Sequence, residues 1–467
     1  MKIENLDLIA AISTATGPGA VSMVRLSGEG VLRAAARFLS LPEGQSLKAR
    51  PRALILGKVI QPTTGRLLDH VLAAYFPSPR SFTGEDSLEI QGHGGAALPS
   101  LVLEAALSSG ARLARPGEFT QRAFLNGRLS LDQAEAVAEI VAAESEAEAA
   151  IAAKILDGAL RDRIWPLSKA LLKNLAFVTG FLDFEEEWTD ENSLSLQESL
   201  RDAARDLDKL LEIRRNGRVF REGLKVVLAG PPNVGKSSLF NALLGQKRAL
   251  VSSIAGTTRD YIVAPLSWDS LKVELVDTAG LRDEGADELE AMGRDLALER
   301  VVEADLVLWV QDATAPPAPW TPAALPEGIV SPPILEVWNK ADLLGQNQET
   351  ARAPESPESP GERGERRLLV SALAGAGLEE LKAAILQRVG ARGKAIPEFV
   401  PNLRQEIALQ KTRDKLQLTL KALEDGEYLE IAGLYLREAT DALGAITGQV
   451  TTEDLLTEVF SHFCLGK

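Results

Sequence analysis

The stretch LKVVLAGPPNVGKSSLFNALLG, residues 224–245, decides the fold of a large part of this chain. It begins with a short apolar run typical of a buried strand, continues with GPPNVGKS from Gly230 to Ser237, and ends in a helical pattern. That order matches the phosphate-binding loop G-x-x-x-x-G-K-S. Backbone amides of such a loop surround phosphate oxygens, and the following helix adds favourable partial charge. Lys236 can reach the β- and γ-phosphates, and the Ser237 hydroxyl can bind Mg²⁺.

Further motifs follow in the order that a guanine-nucleotide domain requires. GTTRD at 256–260 can supply a threonine to the metal, and DTAG at 277–280 can supply a metal-holding aspartate and an amide for the γ-phosphate. In NKAD, residues 339–342, the Asp342 carboxylate can accept two hydrogen bonds from guanine, which adenine does not offer. SAL, residues 371–373, stands where another base-contacting loop belongs. These motifs predict a GTP site.

One position departs from the common pattern of small Ras-like GTPases. They place a water-orienting glutamine directly after DTAG, whereas this chain has Leu281. Leucine cannot orient water, so either hydrolysis is very slow or another group performs this role. The acidic candidates that follow are Asp283, Glu284, Asp287, Glu288 and Glu290.

The composition is that of a globular protein with several domains. The chain has 467 residues, 45% of them hydrophobic and 25% charged, which predicts two to four domains. A net charge of -15 argues against a protein that simply coats nucleic acid. The single cysteine, Cys464, excludes an internal disulfide and fits a reducing compartment. No apolar run is long enough to span a bilayer, and the amino terminus resembles neither a signal nor a transit peptide, so we expect a cytoplasmic protein.

The texture of the sequence changes along the chain and predicts an α/β and all-α multidomain fold. An α+β domain is expected first, then helices, then a doubly wound Ras-like P-loop domain inserted into the helical domain, and then helices to the end. The predicted boundaries are 1–125, 126–220, 221–385 and 386–467.

Local signals refine this division. Ser130 and Gln133 have the spacing of a capping box, and Pro166 predicts a break or kink in a helix. The proline-rich stretches 313–333 and 349–366 are expected to be loops without a chemical role.

The chain resembles the family of tRNA modification GTPases called MnmE or TrmE. The resemblance rests on the nucleotide motifs together with SFTGEDSLEIQGHGG (81–95), RPGEFTQRAFLNGRLSLDQAEA (115–136) and the ending ITGQVTTEDLLTEVFSHFCLGK (446–467). It covers essentially the whole chain, and the regions outside the GTPase motifs make it specific.

The resemblance implies a K⁺-stimulated GTPase whose two GTPase domains meet face to face. K⁺ would occupy the position of an arginine finger, and Thr258 would bind Mg²⁺ with Ser237, while Asp277 would act through water. Glu290 would activate the attacking water, and Lys236 would complete the catalytic set. The implied K⁺ ligands are Asn233, Ser252 or Ser253, Ile254 and Thr257.

Motifs and resemblance together give a full set of GTP-binding residues. The predicted set comprises Asn233, Val234, Gly235, Lys236, Ser237, Ser238, Ser252, Ser253, Ile254, Ala255, Gly256, Thr257, Thr258, Asp277, Thr278, Ala279, Gly280, Asn339, Lys340, Ala341, Asp342, Ser371 and Ala372.

For the amino-terminal domain the resemblance implies a folate-binding fold and a constitutive homodimer. A tetrahydrofolate derivative, 5-formyl- or 5,10-methylene-tetrahydrofolate, would be held by Arg25, Glu89, Arg128 and Lys467. A carboxylate can hold a pterin ring, and a cationic side chain can hold the glutamate tail of folate.

Two further residues of the amino- and carboxyl-terminal motifs keep two interpretations each. His93, in a glycine-rich stretch, is either a turn histidine or functional. Cys464 is either incidental or close to the folate site, and Leu465 replaces the more familiar isoleucine of that ending.

The activity implied is addition of an aminomethyl or carboxymethylaminomethyl group to C5 of the wobble uridine of certain tRNAs. The implied partner is a FAD-dependent protein of the MnmG or GidA type, in a heterotetramer. The alternative is a ribosome-assembly or dynamin-like GTPase switch. Acidity and the FCLGK ending disfavour the first, and the absence of an evident lipid anchor or basic amphipathic helix disfavours the second.

Overall fold

The structure is a computed structural model of the 467-residue chain. It describes residues 7–15, 17–184, 188–245, 263–277, 300–318, 332–344, 367–461, 463–464 and 466. The chain divides into two compact units. The first unit comprises Met1–Ala142, Ala152–Leu211 and Pro401–Lys467, and the second comprises Ala143–Ile151 and Glu212–Val400.

The first unit begins with a seven-stranded sheet of order β3-β4-β5-β6-β2-β1-β7. Its neighbours are antiparallel except for the parallel pair of β1 and β7. The strands are β1 (Ile9–Ile12), β2 (Val21–Ser27), β3 (Leu39–Ser40), β4 (Ile55–Ile60), β5 (Leu67–Phe76), β6 (Ser87–His93) and β7 (Arg112–Leu113). The helices are α1 (Val31–Ala35), α2 (Leu98–Ser108) and α3 (Glu118–Leu125).

This sheet has one buried and one open face because its central strands alternate in hydrophobicity. Val24 on β2 and Ile90 on β6 are buried in a core shared with α2. The residues between them in sequence point the other way, and there the leucines Leu56 and Leu72 are 59% and 38% exposed. The candidate residue Glu89 lies on this second, open face of β6.

Helices from both ends of the chain complete the first unit. They pack together at a polar contact: the Arg404 guanidinium donates to both carboxylate oxygens of Glu135, at 2.5 and 2.8 Å, and to the carbonyls of Ala445 and Ile446. This contact joins residues more than half the chain apart and confirms a helical domain built from two segments. The helices are α4 (Leu131–Ala142), α5 (Glu146–Leu156), α6 (Ala159–Phe184), α7 (Asp190–Glu222), α10 (Leu403–Glu424), α11 (Leu429–Thr447) and α12 (Glu453–Ser461), of which α5 and α7 extend into the second unit.

Two local predictions for these helices need revision. The Gln133 side chain accepts from the Ser130 amide at 3.0 Å, but the Ser130 hydroxyl donates to the same Gln133 oxygen, so only half of the capping box forms. Pro166 lies inside α6, which continues through it, so the predicted break is wrong. A proline has no amide to donate, and α6 is long enough to tolerate one missing bond.

The second unit contains a six-stranded sheet of order β13-β12-β11-β8-β10-β9, parallel except for the antiparallel pair of β9 and β10. Its strands are β8 (Leu224–Ala229), β9 (Val263–Trp268), β10 (Leu271–Asp277), β11 (Leu306–Asp312), β12 (Ile334–Asn339) and β13 (Leu368–Leu369), with helices α8 (Lys236–Gly245) and α9 (Leu378–Arg388). The apolar runs that form β8 and β11 are buried. This confirms the predicted doubly wound sheet.

The proline-rich stretches are only partly visible. Residues 313–318 and 332–333 form no helix or strand, while 319–331 and 349–366 lie outside the described residues. Within the described ranges, no helix has the length and apolar character needed to cross a membrane.

Candidate nucleotide-binding site and amino-terminal site

The nucleotide motifs meet at one edge of the second unit's sheet. The parallel strands β8, β10, β11 and β12 all end there, with the phosphate-binding loop following β8. In an open α/β sheet, ligands bind beyond the carboxyl ends of the strands. The fold therefore collects motifs that are more than one hundred residues apart in the sequence.

Glycines give the phosphate-binding loop its path. Gly230 has φ 150°, and a Cβ there would come within 2.2 Å of the Val310 carbonyl oxygen on neighbouring β11. Gly235 has φ 91°, and a Cβ there would lie 2.4 Å from the Asn339 amide nitrogen. Asn233 also has positive φ, 64°, a conformation that asparagine tolerates better than most residues. Sterics thus fix the loop around its backbone amides.

Lys236 folds back over this loop. Its ammonium donates to the carbonyls of Gly230 and Pro231, at 3.0 and 2.9 Å. Ser237 follows in the first turn of α8, where its hydroxyl is exposed. The cation and hydroxyl needed for nucleotide phosphates and Mg²⁺ therefore stand at the loop as predicted.

Asp277 closes β10, next to β8, and its residue is only 3% exposed. It lies at the sheet edge from which an aspartate can hold Mg²⁺ through water. A lysine, a hydroxyl and a buried carboxylate at this edge fit a nucleotide with its magnesium ion. The other predicted contacts lie outside the described residues: Ser252, Ser253, Ile254, Ala255, Gly256, Thr257, Thr258, Thr278, Ala279, Gly280 and Glu290.

Asn339 joins the phosphate loop to the base loops. Its side-chain nitrogen donates to the Val234 carbonyl at 3.0 Å, and its side-chain oxygen accepts from the Ala372 amide at 3.0 Å. The residue is 2% exposed. The NKAD asparagine thus has a structural role, because it fixes the spacing between loops that contact opposite ends of a nucleotide.

Asp342 lies in a short 3₁₀ turn, Ala341–Leu343, and is held by the loop at 371–372. The Ser371 hydroxyl, which is buried, donates to Asp342 Oδ1 at 2.5 Å. The second oxygen is left to face a base. Asp342 itself is exposed, so the carboxylate is not buried ahead of its ligand.

Lys340 brings in a residue that the motifs did not indicate. Its ammonium lies 2.7 Å from the Asp312 carboxylate at the end of β11. Hydrogen bonds from Lys340, and then from the Thr314 hydroxyl and amide, lower the pKa of Asp312 to about 2. Asp312 could have been found in the sequence, since an acidic residue that ends a predicted parallel strand lies at the binding edge.

The amino-terminal site is assembled by strand pairing. Arg25 on β2 lies directly opposite Glu89 on β6, and the guanidinium and carboxylate are 2.9 Å apart. Arg25 also stacks between the rings of Phe82 and Phe119, with its guanidinium carbon 5.5 and 5.8 Å from their centroids. Both members of the ion pair are about one-fifth exposed. The pair forms a positioned, accessible charge on the open face of the sheet.

Arg128 is exposed and lies beside the segment that carries Phe82. A Cβ on Gly84 would come within 3.3 Å of the Arg128 Cγ, and the neighbouring Asn126 donates to the Thr83 carbonyl. The structure therefore brings three of the four predicted folate residues to one region, while Lys467 lies outside the described residues.

The carboxyl-terminal tail reaches the same domain. Ser13, just after β1, donates from its hydroxyl to the Gly466 carbonyl, and the Gly117 amide donates to the Cys464 carbonyl at 3.4 Å. Gly466 has φ 90°, and a Cβ there would lie 2.2 Å from the Ile12 oxygen. The ending FCLGK thus packs against the strand next to β2, with the Cys464 thiol exposed.

Sheet order and the phosphate loop define a P-loop GTPase, with guanine selected by the NKAD loop. The family model described as the TrmE amino terminus matches residues 8–128, and that of the MnmE helical domain matches residues 131–464. The chain belongs to the MnmE family.

Curated relatives carry the same pattern over the full length. A "tRNA modification GTPase MnmE" of Aquifex aeolicus is 41% identical over 98% of this chain and 99% of its own. One from a strain of Thermus thermophilus is 40% identical over 99% of both chains. A solved Era GTPase variant from Aquifex aeolicus aligns with 42% of this chain and 67% of its own, at 28% identity and a TM-score of 0.26, and this partial likeness adds nothing to the assignment.

Proposed function

We propose that this protein is a K⁺-stimulated GTPase that takes part in modifying the wobble uridine of certain tRNAs. With a FAD-dependent partner it would add an aminomethyl or carboxymethylaminomethyl group to C5, using a tetrahydrofolate one-carbon unit. The observation that carries the proposal is the match to relatives named tRNA modification GTPases across 98% of the chain. The amino-terminal and helical parts match as well as the nucleotide motifs, so a general GTPase relationship is insufficient to explain it.

The described nucleotide residues have clear roles in this proposal. Lys236 and the loop amides stabilise charge on the β- and γ-phosphates, and Ser237 and Asp277 hold Mg²⁺. Asp342 and Ser371 select guanine. Thr258 and Glu290 would complete the metal site and position the attacking water.

Asn233 is the described residue on which the K⁺ proposal depends. It stands exposed in the phosphate loop with φ 64°, two residues before Gly235. An amide oxygen suits a hard monovalent cation, and a cation beside the phosphates would stabilise transition-state charge as an arginine does. The remaining ligands would come from Ser252, Ile254 and Thr257.

The amino-terminal pair of Arg25 and Glu89 fits a folate. The Glu89 carboxylate can accept from the amino group and ring nitrogen of a pterin, and aromatic rings beside Arg25 offer a stacking surface. Arg128 and Lys467 would hold the anionic glutamate tail. Cytoplasmic location and binding of tRNA are part of the same proposal.

The open sheet face supports the proposed homodimer. Leu56 and Leu72 lie directly opposite each other on β4 and β5 and are both exposed. Burial of these leucines against a second copy would favour association, and it leaves Arg25 and Glu89, on β2 and β6, beside the contact. The dimer would bind two copies of the FAD-dependent partner as a heterotetramer.

The K⁺ step is tested by GTP hydrolysis in K⁺ and in Na⁺ buffers of equal ionic strength. We expect a large gain with K⁺ that disappears in Asn233→Gly. Glycine is the better substitution because alanine would add strain at a positive φ, of roughly 1 kcal/mol. Asn233→Asp, which keeps an oxygen ligand and tolerates this backbone, is the matched variant and should retain part of the gain.

Equal rates of wild-type hydrolysis in both salts would contradict the K⁺ proposal. In that case an arginine supplied by another protein becomes the expected source of the transition-state cation.

A further inference from the structure

Asp69 occupies the point where strands β5 and β6 separate. Their ladder ends with the pair Leu72 and Gln91. Beyond it, Asp69 Oδ2 accepts from the His93 amide at 2.8 Å, and Oδ1 accepts from the His70 amide at 2.8 Å. The Asp69 side chain is 5% exposed. A buried carboxylate is therefore held in a fixed position by backbone donors.

The same carboxylate orients the His93 ring. His93 Nδ1 lies 2.7 Å from Asp69 Oδ1, while the His93 side chain is 70% exposed. A carboxylate acceptor favours the tautomer with hydrogen on Nδ1, which leaves the Nε2 lone pair free. Among the described residues, no group makes a hydrogen bond to Nε2. One end of this imidazole is anchored and the other faces solvent.

The glycines of QGHGG are required by this arrangement. A Cβ on Gly92 would lie 2.5 Å from Asp69 Oδ2, and a Cβ on Gly94 would lie 2.0 Å from the Gly19 carbonyl oxygen. Any larger residue at position 92 would displace the carboxylate from His93. The local sequence thus admits the Asp69 side chain, which a simple turn histidine would not need.

The pair lies on the strand that carries the candidate folate residue Glu89. Side chains on one strand face recur every two residues, about 7 Å apart, so Glu89, Gln91 and His93 share one face of β6. On β2 the partner of Gln91 is Met23, whose carbonyl accepts from the Ser13 amide, beside the carboxyl-terminal tail. Glu89 and His93 therefore flank the position that the tail approaches.

We propose that His93 and Asp69 form a proton-transfer pair for transfer of the one-carbon unit. This inference rests on the folate-dependent function proposed above. In the transfer, the accepting nucleophile forms a bond to the carbon, and the bond from that carbon to a folate nitrogen breaks. His93 Nε2 takes the proton that the nucleophile loses and returns it to the folate nitrogen, so this step oxidises and reduces nothing. Asp69 is the positioning residue that stabilises the imidazolium.

The experiment measures transfer of a labelled one-carbon unit from 5,10-methylene-tetrahydrofolate to tRNA by the full chain with its FAD-dependent partner and GTP. Variants are His93→Gln, His93→Ala with and without added imidazole, and Asp69→Asn. The matched control is His70→Gln, because His70 is an exposed histidine on the neighbouring strand whose ring makes no hydrogen bond among the described residues. Affinity for 5-formyl-tetrahydrofolate and GTP hydrolysis are measured on every variant.

We expect His93→Gln to lower kcat for transfer about 100-fold, the usual scale of general acid-base catalysis, with folate affinity and GTP hydrolysis unchanged. Imidazole should restore part of the rate to His93→Ala, and His70→Gln should behave as wild type. Asp69→Asn should lower kcat by less than His93→Gln, because it perturbs the tautomer and leaves the ring in place.

A His93→Gln rate within about twofold of wild type would overturn the pair, because a general base contributes far more. Loss of transfer together with loss of folate affinity, without imidazole rescue, would also overturn it and leave His93 a structural role. A wild-type protein that binds no folate would fail earlier, and would remove the proposed function itself along with the pair.

Discussion

The two candidate sites of this molecule are built in different ways. The nucleotide site uses the backbone of one contiguous loop, and its side chains come from short motifs at the ends of parallel strands. The amino-terminal site uses single side chains from β2, β6 and the segment around Gly84, brought together by antiparallel pairing. A site made of backbone can be recognised in a sequence, whereas a site made of scattered side chains depends on strand register.

The largest effect should come from Gly230→Ala. A Cβ there would meet the Val310 backbone oxygen at 2.2 Å with φ at 150°, and neither can move without shifting a central strand. We expect a loss of about 2–4 kcal/mol in stability of the second unit and of most GTP binding. Folate binding by the amino-terminal site should survive. Gly245→Ala is the control, since nothing lies within 4 Å of its Cβ. Equal behaviour of the two variants in GTP titrations would contradict the loop geometry.

Asp342→Asn should change which nucleotide is used. The substitution replaces an acceptor for the guanine edge with a donor, which suits xanthine. We expect GTP affinity to fall roughly 10- to 150-fold, since a hydrogen bond to a charged group is worth about 1.5–3 kcal/mol. XTP affinity should rise. Competition binding with both nucleotides measures this, and Asp269→Asn, in an exposed turn of the same unit, should change neither. An unchanged preference for GTP would remove Asp342 from base recognition.

Arg25→Ala and Glu89→Gln test the side-chain site. Each removes one member of a 2.9 Å pair on the open sheet face. We expect affinity for 5-formyl-tetrahydrofolate, measured by calorimetry, to fall about 10-fold or more, as for loss of a charged hydrogen bond. GTP hydrolysis should be unaffected. Arg33→Ala, an exposed arginine on α1, is the control. If both variants bound folate normally, the comparison of two ligand sites would fail.

The smallest effect is expected from Asp312→Asn. The pKa of Asp312 is lowered from 3.8 to about 2 in the folded protein, so its pairing with Lys340 stabilises the fold above about pH 4 and is lost as the pH falls towards 2. The difference in Tm between wild type and variant should be full at pH 6 and shrink below pH 4. Because the pair is partly exposed, we expect less than about 1 kcal/mol. A Tm difference that grows as the pH falls would contradict the pairing.

Much of the second unit could be predicted from sequence. Apolar runs and a glycine-rich loop specify strand, turn and helix locally, so the order of motifs indicates the sheet edge where they meet. The pairing of Lys340 with Asp312 was missed because it joins the ends of two strands, although the acidic strand end was visible. The exposure of Asp342 could not be predicted, since it depends on how the 371–372 loop packs.

The amino-terminal site was less predictable from local pattern. Arg25, Glu89 and Arg128 were indicated by resemblance alone, and their ion pair and stacking follow from a register that no local pattern states. His93 was expected in a glycine-rich turn, whereas it ends β6. Its partner Asp69 was not indicated, because the contact requires β5 and β6 to separate at one particular residue.

The central claim is that GTP hydrolysis by this chain serves tRNA modification. The most direct measurement is mass spectrometry of tRNA nucleosides from bacteria that lack their own MnmE and carry this chain or its Lys236→Ala variant. We predict that wild type restores the C5-modified wobble uridine and that the variant, present at equal level, does not. Unmodified uridine with a wild-type chain that hydrolyses GTP, in cells that contain the FAD-dependent partner, would contradict the claim.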